Sequence, residues 1–230
     1  MSRAPGVDLV ERLRRLDVCT VSDALDALGL QGVVAGIEPL WEGARTVGRA
    51  VTMRLAEGAP PPGAPKVHLG SAAIEASGPD DVIVIDNGGR LGMGSWGGLL
   101  SLAASVRGVA GVVSDGACRD VDEARQLRFP VFARGVVAHT ARQRAHEAAV
   151  GTPIQLAGTR VSAGDIVIAD GSGVVVLAAD QAEQVVARAE SIAAREERMQ
   201  ADLRAGVPVS QVLGGSYEDM LSSPAPDSAG

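Results

Sequence analysis

Arg119, Asp120 and Glu123 fall within five consecutive positions, and their types and spacing could do chemistry together. Arginine presents a rigid fork of N–H donors that grips a carboxylate and polarises a neighbouring carbonyl. Asp120 and Glu123 stand about one turn apart on the same face of the helix expected to follow. Two carboxylates at that spacing can hold Mg²⁺ or Mn²⁺, with waters at the remaining positions. The same acids also read as a capping box for that helix, which would need no metal. A second candidate is the Gly-rich loop Asn87–Gly97, which runs into Gly98 at the start of a helix. Glycines there allow close approach, and the free N–H groups near Leu99 and Leu100 could cradle a carboxylate.

Other chemistries find less support. Cys19 and Cys118 are too few and too far apart for a disulfide framework or a thiolate zinc site. Among His68, His139 and His146 no pair has i, i+4 spacing. On one helical face, His139 and His146 would be about 10 Å apart along the axis, too far to share an ion. A hard cation on oxygen ligands is therefore expected in place of zinc. Lys66, the only lysine, follows the loop Ala59–Pro65, a poor setting for the buried amine of a Schiff base. Cys118 has no histidine nearby in sequence and is expected to fill space. Gly92-Met-Gly-Ser-Trp-Gly97 fits the glycine pattern of a dinucleotide-binding turn, with Asp115 about where the ribose-binding acid would sit. That turn begins immediately after its strand, whereas five residues precede Gly92 here.

The elements that must position these residues follow from periodicity and punctuation. Asp81–Asp86, Val109–Ser114 and Pro130–Arg134 are short apolar runs suited to strands buried on both faces. Helices are expected over 98–107 and 121–127, so the order is β-α-β-α-β, with parallel strands and right-handed crossovers. Both loops, 87–98 and 115–120, then leave the carboxyl ends of neighbouring strands and open onto one crevice. Before this unit, helices are expected over 9–16, from Thr20 to Gly29 and over 67–76, with a strand over 46–55. After it come strands at Ile154–Val161, Asp165–Ala169 and Gly173–Leu177, then a long helix over 180–205. One α/β domain spanning 1–221, with layered sheets, is expected, and the Pro- and Ser-rich tail 222–230 reads as disordered.

Composition narrows the function classes. The 230 residues carry a net charge of −7 with no basic block, which argues against nucleic-acid binding. No apolar run approaches the roughly 18 residues of a membrane span, and the N-terminus lacks a signal-peptide core, so a cytoplasmic protein is expected.

Gly98, Arg119-Asp120 and Glu123 together match the pattern G-x20-R-D-x2-E/D, and the chain here resembles the RraA-like family. Val112–Asp120 and Gly164–Val176 carry the likeness further, over about Thr20 to Gly206. That family includes 4-hydroxy-4-methyl-2-oxoglutarate/4-carboxy-4-hydroxy-2-oxoadipate aldolases and the regulator of ribonuclease E activity. The resemblance implies a β/β/α swivelling-type fold assembled as a trimer or a hexamer. It implies that Gly97–Leu100 amides and Arg119 hold a pyruvyl group, while Asp120 binds Mg²⁺ or Mn²⁺. Well-characterised aldolases carry Asp where this chain has Gly98, and Glu123 is offered as the replacement ligand. The expected activity is a class II pyruvate lyase acting on small 2-oxo acids, with oxaloacetate decarboxylation the safer prediction. Glu196 or Glu197, on the long helix, is expected to reach a neighbouring subunit's site. That helix carries Ala182, Val185, Val186, Ala189, Ile192 and Ala193 on one stripe, continued by Met199 and Leu203 and expected to face another subunit. The competing reading is a non-catalytic regulator that binds an RNA-degrading enzyme.

Overall fold

Most strands of this chain place apolar side chains on both faces, and the sheet they form is covered on both sides. The computed structural model describes residues 9–63 and 68–214. The first part holds α1 (Leu9–Leu13), α2 (Val18–Ala27), β1 (Val33–Val34), β2 (Glu38–Pro39) and β3 (Thr46–Glu57). There follow α3 (Ser71–Ala76), β4 (Asp81–Asp86), α4 (Gly98–Val106), β5 (Gly111–Ser114), β6 (Ala117–Cys118), α5 (Val121–Gln126) and β7 (Val131–Ala133). The last part holds β8 (Gly135–Val136), β9 (Ala145–Val150), β10 (Ile154–Leu156), β11 (Thr159–Val161), β12 (Ile166–Asp170), β13 (Gly173–Leu177), α6 (Ala182–Arg204) and α7 (Val209–Val212).

Among the described residues the main sheet runs β1-β13-β12-β3-β4-β5-β7-β2, with β9 also paired to β3. β3, β4, β5 and β7 are parallel neighbours, joined through α3, α4 and α5. The expected β-α-β-α-β unit is therefore present, extended by β3 and α3 at its start. Alternation sorts the side chains. Val47, Met53, Ile83, Ile85, Val112 and Val131 pack with the helices on one face. Ala50, Val82, Val84, Val113, Phe132 and Val167 meet the β10–β11 hairpin on the other. Hairpin, sheet and helices make the three layers of a mixed α/β fold.

Local expectations need adjustment in four places. Asp17, not Thr20, caps α2, accepting from the Thr20 N–H at 2.8 Å. The helix expected over 67–76 forms only over Ser71–Ala76, and Lys66 lies outside the described residues. The strand expected over 154–161 folds into a hairpin, because Ala157 (φ 48°) and Gly158 (φ 92°) turn the chain. Finally, the first part of the stripe on α6 is used within its own chain, while Met199 is half-buried and Leu203 exposed. Ala182, Val185, Val186, Ala189 and Ile192 pack against α1, α2 and the strands β12 and β13. The tail expected to be disordered lies outside the described residues.

Candidate active site

Both loops that the sequence singled out meet at the carboxyl ends of β4 and β5. They are stitched by backbone hydrogen bonds: Ser95 N–H donates to Ala117 O at 2.7 Å and Arg119 N–H to Trp96 O at 2.9 Å. Trp96 is buried and donates to Ser101 Oγ at 3.0 Å, which fixes the loop to α4. Underneath, Asp115 accepts from the Asn87 N–H at 2.6 Å and is only 3% exposed. Burial, the larger effect, raises its carboxyl above the usual range against the pull of these N–H donors. Asp115 thus holds loop backbone, and does not face a ligand as a ribose-binding acid would.

The stitching sets three glycines opposite three candidate side chains. An ideal Cβ on Gly94 would fall 2.9 Å from Arg119 Cγ, one on Gly97 would fall 2.7 Å from Asp120 Oδ2, and one on Gly98 would fall 1.7 Å from Glu123 Oε2. At each position the space a Cβ would take is filled by a side chain from the facing loop or from α5. Two of the three glycines that resemble a dinucleotide fingerprint, Gly94 and Gly97, are accounted for by this contact without a pyrophosphate, while a Cβ on Gly92 would meet nothing.

Asp120 does not cap its own helix. It has left-handed backbone angles (φ 57°, ψ 44°) and makes no side-chain cap bond to α5. Its Oδ2 instead accepts from the Gly98 N–H at 2.9 Å, at the first turn of α4. A non-glycine residue in this region costs on the order of 1 kcal/mol, a local strain that accompanies turning the carboxylate into the cleft. Arg119 Nε donates to both oxygens of Asp120, at 3.1 and 3.2 Å. Among the described residues the terminal nitrogens of Arg119 make no hydrogen bond, which leaves them for a ligand. The Gly98 N–H is committed to Asp120, contrary to the expectation that it would serve the cradle. The Leu99 and Leu100 N–H groups lie in the first turn of α4, where no helical carbonyl precedes them.

The donor chemistry of Asp120 and Glu123 is compatible with a hard cation. Both present carboxylate oxygens beside the Gly97–Gly98 backbone, and neither is spent on capping. No group of three or more His, Cys, Asp or Glu suited to a metal occurs among the described residues, so the pair would rely on water for its remaining ligands.

Gly94, Gly97–Leu100, Arg119 and Asp120 line a cleft of about 610 Å³ that also takes in His68, Trp96, Arg142, His146 and Glu147; Glu123 stands behind Gly98, outside its lining. His146 and Glu147 ride on β9; His146 was weighed in the sequence only as a metal ligand, and Glu147 gave no signal there. Glu147 is half-buried and accepts from the Gly70 N–H at 2.9 Å. Burial, then the charge of Glu75, raise its carboxyl above the usual range, partly offset by the Gly70 bond. Cys118 fills space as expected: it is fully buried beside Ser95, and its thiol is pushed up to about 12. Glu196 and Glu197 do not line this cleft in their own chain. Glu196 faces α2, where burial and then Asp17 and Asp23 raise its carboxyl.

Comparison with known proteins shows the family. The sequence model of the RraA-like family, described as Aldolase/RraA, matches residues 18–176. A protein of Halalkalibacterium halodurans, provisionally named 4-hydroxy-4-methyl-2-oxoglutarate aldolase, is 34% identical over 197 residues, covering 86% of this chain and 89% of its own. Protein DlpA of Legionella pneumophila is 32% identical over 210 residues, 89% of this chain, which spans about a third (33%) of DlpA's length. Among solved structures, an uncharacterised protein of Pseudomonas syringae superimposes with a TM-score of 0.81 at 30% identity, covering 90% and 96% of the two chains. RraAS2 of Streptomyces coelicolor, described as an unusual member of the RNase ES inhibitor RraA family, gives 0.75 at 27%, covering 87% and 99%.

Proposed function

The chain belongs to the RraA-like family, and on that premise we propose that it is a divalent-metal-dependent lyase of small 2-oxo acids. It breaks the C3–C4 bond through a pyruvate enolate, as an oxaloacetate decarboxylase, a retro-aldolase of 4-hydroxy-2-oxo acids, or both. One observation carries the reading: Gly94, Gly97 and Gly98 each leave room for one of Arg119, Asp120 and Glu123, and Asp120 is turned away from the helix it could cap.

The chemistry follows from charge. The substrate's carboxylate is received by the Leu99 and Leu100 N–H groups and by the terminal nitrogens of Arg119. As the C3–C4 bond breaks, its electron pair moves into the enolate, and Arg119 meets the charge developing on the 2-oxo oxygen. Asp120, bonded to both Gly98 N–H and Arg119 Nε, keeps fork and cradle in register. A divalent cation held by Asp120 and Glu123 supplies, when bound, Lewis-acid stabilisation of the same charge. No lysine imine is invoked.

Assembly belongs to the same proposal. On α4, Leu99 (74% exposed), Leu102 (45%) and Val106 (81%) form an apolar stripe that starts at the cleft, which Leu99 lines. A trimer or hexamer that covers it would set a neighbouring subunit beside the site, where Glu196 or Glu197 of that subunit is a candidate contributor. No helix among the described residues is long and apolar enough to cross a membrane.

The regulator reading draws on the likeness to RraAS2. A pure binding protein has no need for Arg119 and Asp120 turned into a cleft with Glu123 behind them. The test is pyruvate release by the purified protein from a panel of 2-oxo acids, including oxaloacetate and 4-hydroxy-4-methyl-2-oxoglutarate. Release from at least one, above a protein-free control, is expected; release from none would favour the regulator.

A further inference from the structure

Cleaving a 4-hydroxy-2-oxo acid needs one thing that decarboxylation does not: a base for the C4 hydroxyl proton. Two acids line the cleft, Asp120 and Glu147. Asp120 is already given to the proposed cation, and it also accepts from the Gly98 N–H and from Arg119 Nε. Glu147 is held by one oxygen only, Oε2, on the Gly70 N–H. Among the described residues its Oε1 accepts no hydrogen bond.

Gly70 also places this carboxylate relative to the cradle. It packs directly on the start of α4: an ideal Cβ there would fall 3.2 Å from Leu100 Cδ1 and 3.3 Å from the Trp96 ring. Glu147 is therefore fastened to a residue that abuts Leu100, whose N–H helps form the carboxylate cradle. Two histidines share the cleft, but His68 is exposed and hydrogen-bonds to Leu69 O, and the His146 Nδ1 is turned to Gly58 O. Glu147 is both anchored by backbone and half-desolvated, the combination that keeps a carboxylate basic.

We propose that Glu147 is the proton acceptor for aldol cleavage in this cleft, a step that rests on the lyase reading above. Its carboxylate takes the C4 hydroxyl proton while the C4–O bond becomes a carbonyl. The C3–C4 electron pair passes into the enolate, and the proton is then available to C3, giving pyruvate and a second carbonyl compound. In oxaloacetate decarboxylation carbon dioxide departs with no hydroxyl proton to remove, and solvent can protonate C3.

The two substrates thus separate this role from a structural one. Glu147→Gln retains an acceptor for the Gly70 N–H. It should lower kcat on 4-hydroxy-4-methyl-2-oxoglutarate by about 100-fold or more, within the span of a lost general base. Its oxaloacetate decarboxylation should stay within threefold of wild type, which also reports that the variant is folded. His146→Asn should keep both activities. The proposal is overturned if Glu147→Gln lowers both activities together, if it spares the hydroxy acid, or if His146→Asn carries the selective loss. It is also overturned if the wild type decarboxylates oxaloacetate but never cleaves the hydroxy acid, an outcome that leaves the lyase reading standing. Wild type inert on both substrates would remove the lyase reading itself.

Discussion

Adding one methyl group, in Gly98→Ala, should move Glu123 off the metal without unfolding anything. The new Cβ would fall 1.7 Å from Glu123 Oε2 and 2.5 Å from its Cδ. Ordinary contact begins near 3.5 Å, so the oxygen must retreat by about 2 Å. A Mg²⁺–oxygen bond is itself about 2.0–2.1 Å, so a shift of that size takes Glu123 out of coordination. The fold has little reason to object. Gly98 is the first residue of α4, its φ is not positive, and Glu123 is exposed enough to swing aside. Alanine is also the better helix former, by up to about 1 kcal/mol. Tm should hold or rise, while the Mg²⁺ concentration for half-maximal activity rises on the order of 10–100-fold, the scale seen when a metal site loses an orienting group. The assay is a Mg²⁺ titration of pyruvate release from oxaloacetate, coupled to lactate dehydrogenase. Glu123→Ala should raise the same midpoint, and Gly98→Ala added to it should cost little more, because the clash is gone. Gly98→Asp combined with Glu123→Ala returns a carboxylate to the vacated space and should recover part of the affinity. An unchanged midpoint in Gly98→Ala, or strictly additive single effects, would refute the assignment of Glu123 as a ligand.

Three further outcomes are expected. Arg119→Lys should stay folded but lose about 100–1,000-fold in kcat, roughly 3–4 kcal/mol, because a point charge cannot replace the fork at a developing oxyanion. A loss under threefold in steady-state assays would take Arg119 out of that role. Glu147 should make stability pH-dependent: its folded carboxyl is raised by burial, so its contribution is full at acid pH and is lost as pH rises through that raised value. Glu147→Gln should therefore melt above wild type at neutral pH, with the gap closing on acidification; scanning fluorimetry that finds the gap constant or reversed contradicts the burial argument. Light scattering should give a mass near three or six times 23.4 kDa, with Leu102→Glu lowering it. A fully active wild-type monomer at micromolar concentration would dismiss the shared site.

The chemistry-bearing loops were legible because their signals are local. Short apolar runs such as Asp81–Asp86, punctuated by glycine, have few folds open to them, and parallel pairing brings both loops to one end of the sheet. The purpose of the glycines was not legible, since a Gly-rich turn before a helix looks alike whether it cradles a phosphate or admits Glu123. Asp120 also defeats local reading: its neighbours spell a capping box, and only the tertiary bond to Gly98 N–H shows that the carboxylate is used elsewhere. β9 was missed for a related reason. Ala145-His-Glu-Ala-Ala-Val150 has no strand-like composition, and pairing with β3, not propensity, makes it extended and brings Glu147 to the cleft. The stripe on α6 was read correctly as apolar but assigned to another subunit, because sequence alone does not tell that α1 and α2 fold back over it.

Metal dependence of pyruvate release is the most direct test of the proposed activity. Protein stripped with EDTA and freed of chelator should release pyruvate from oxaloacetate no faster than a protein-free control at the same free Mg²⁺. Adding Mg²⁺ or Mn²⁺ should restore turnover along a saturating curve, well above that control, and Asp120→Asn should flatten the curve. Full turnover by the stripped protein, or an Asp120→Asn curve that overlays wild type, would contradict a metal held by Asp120 and Glu123.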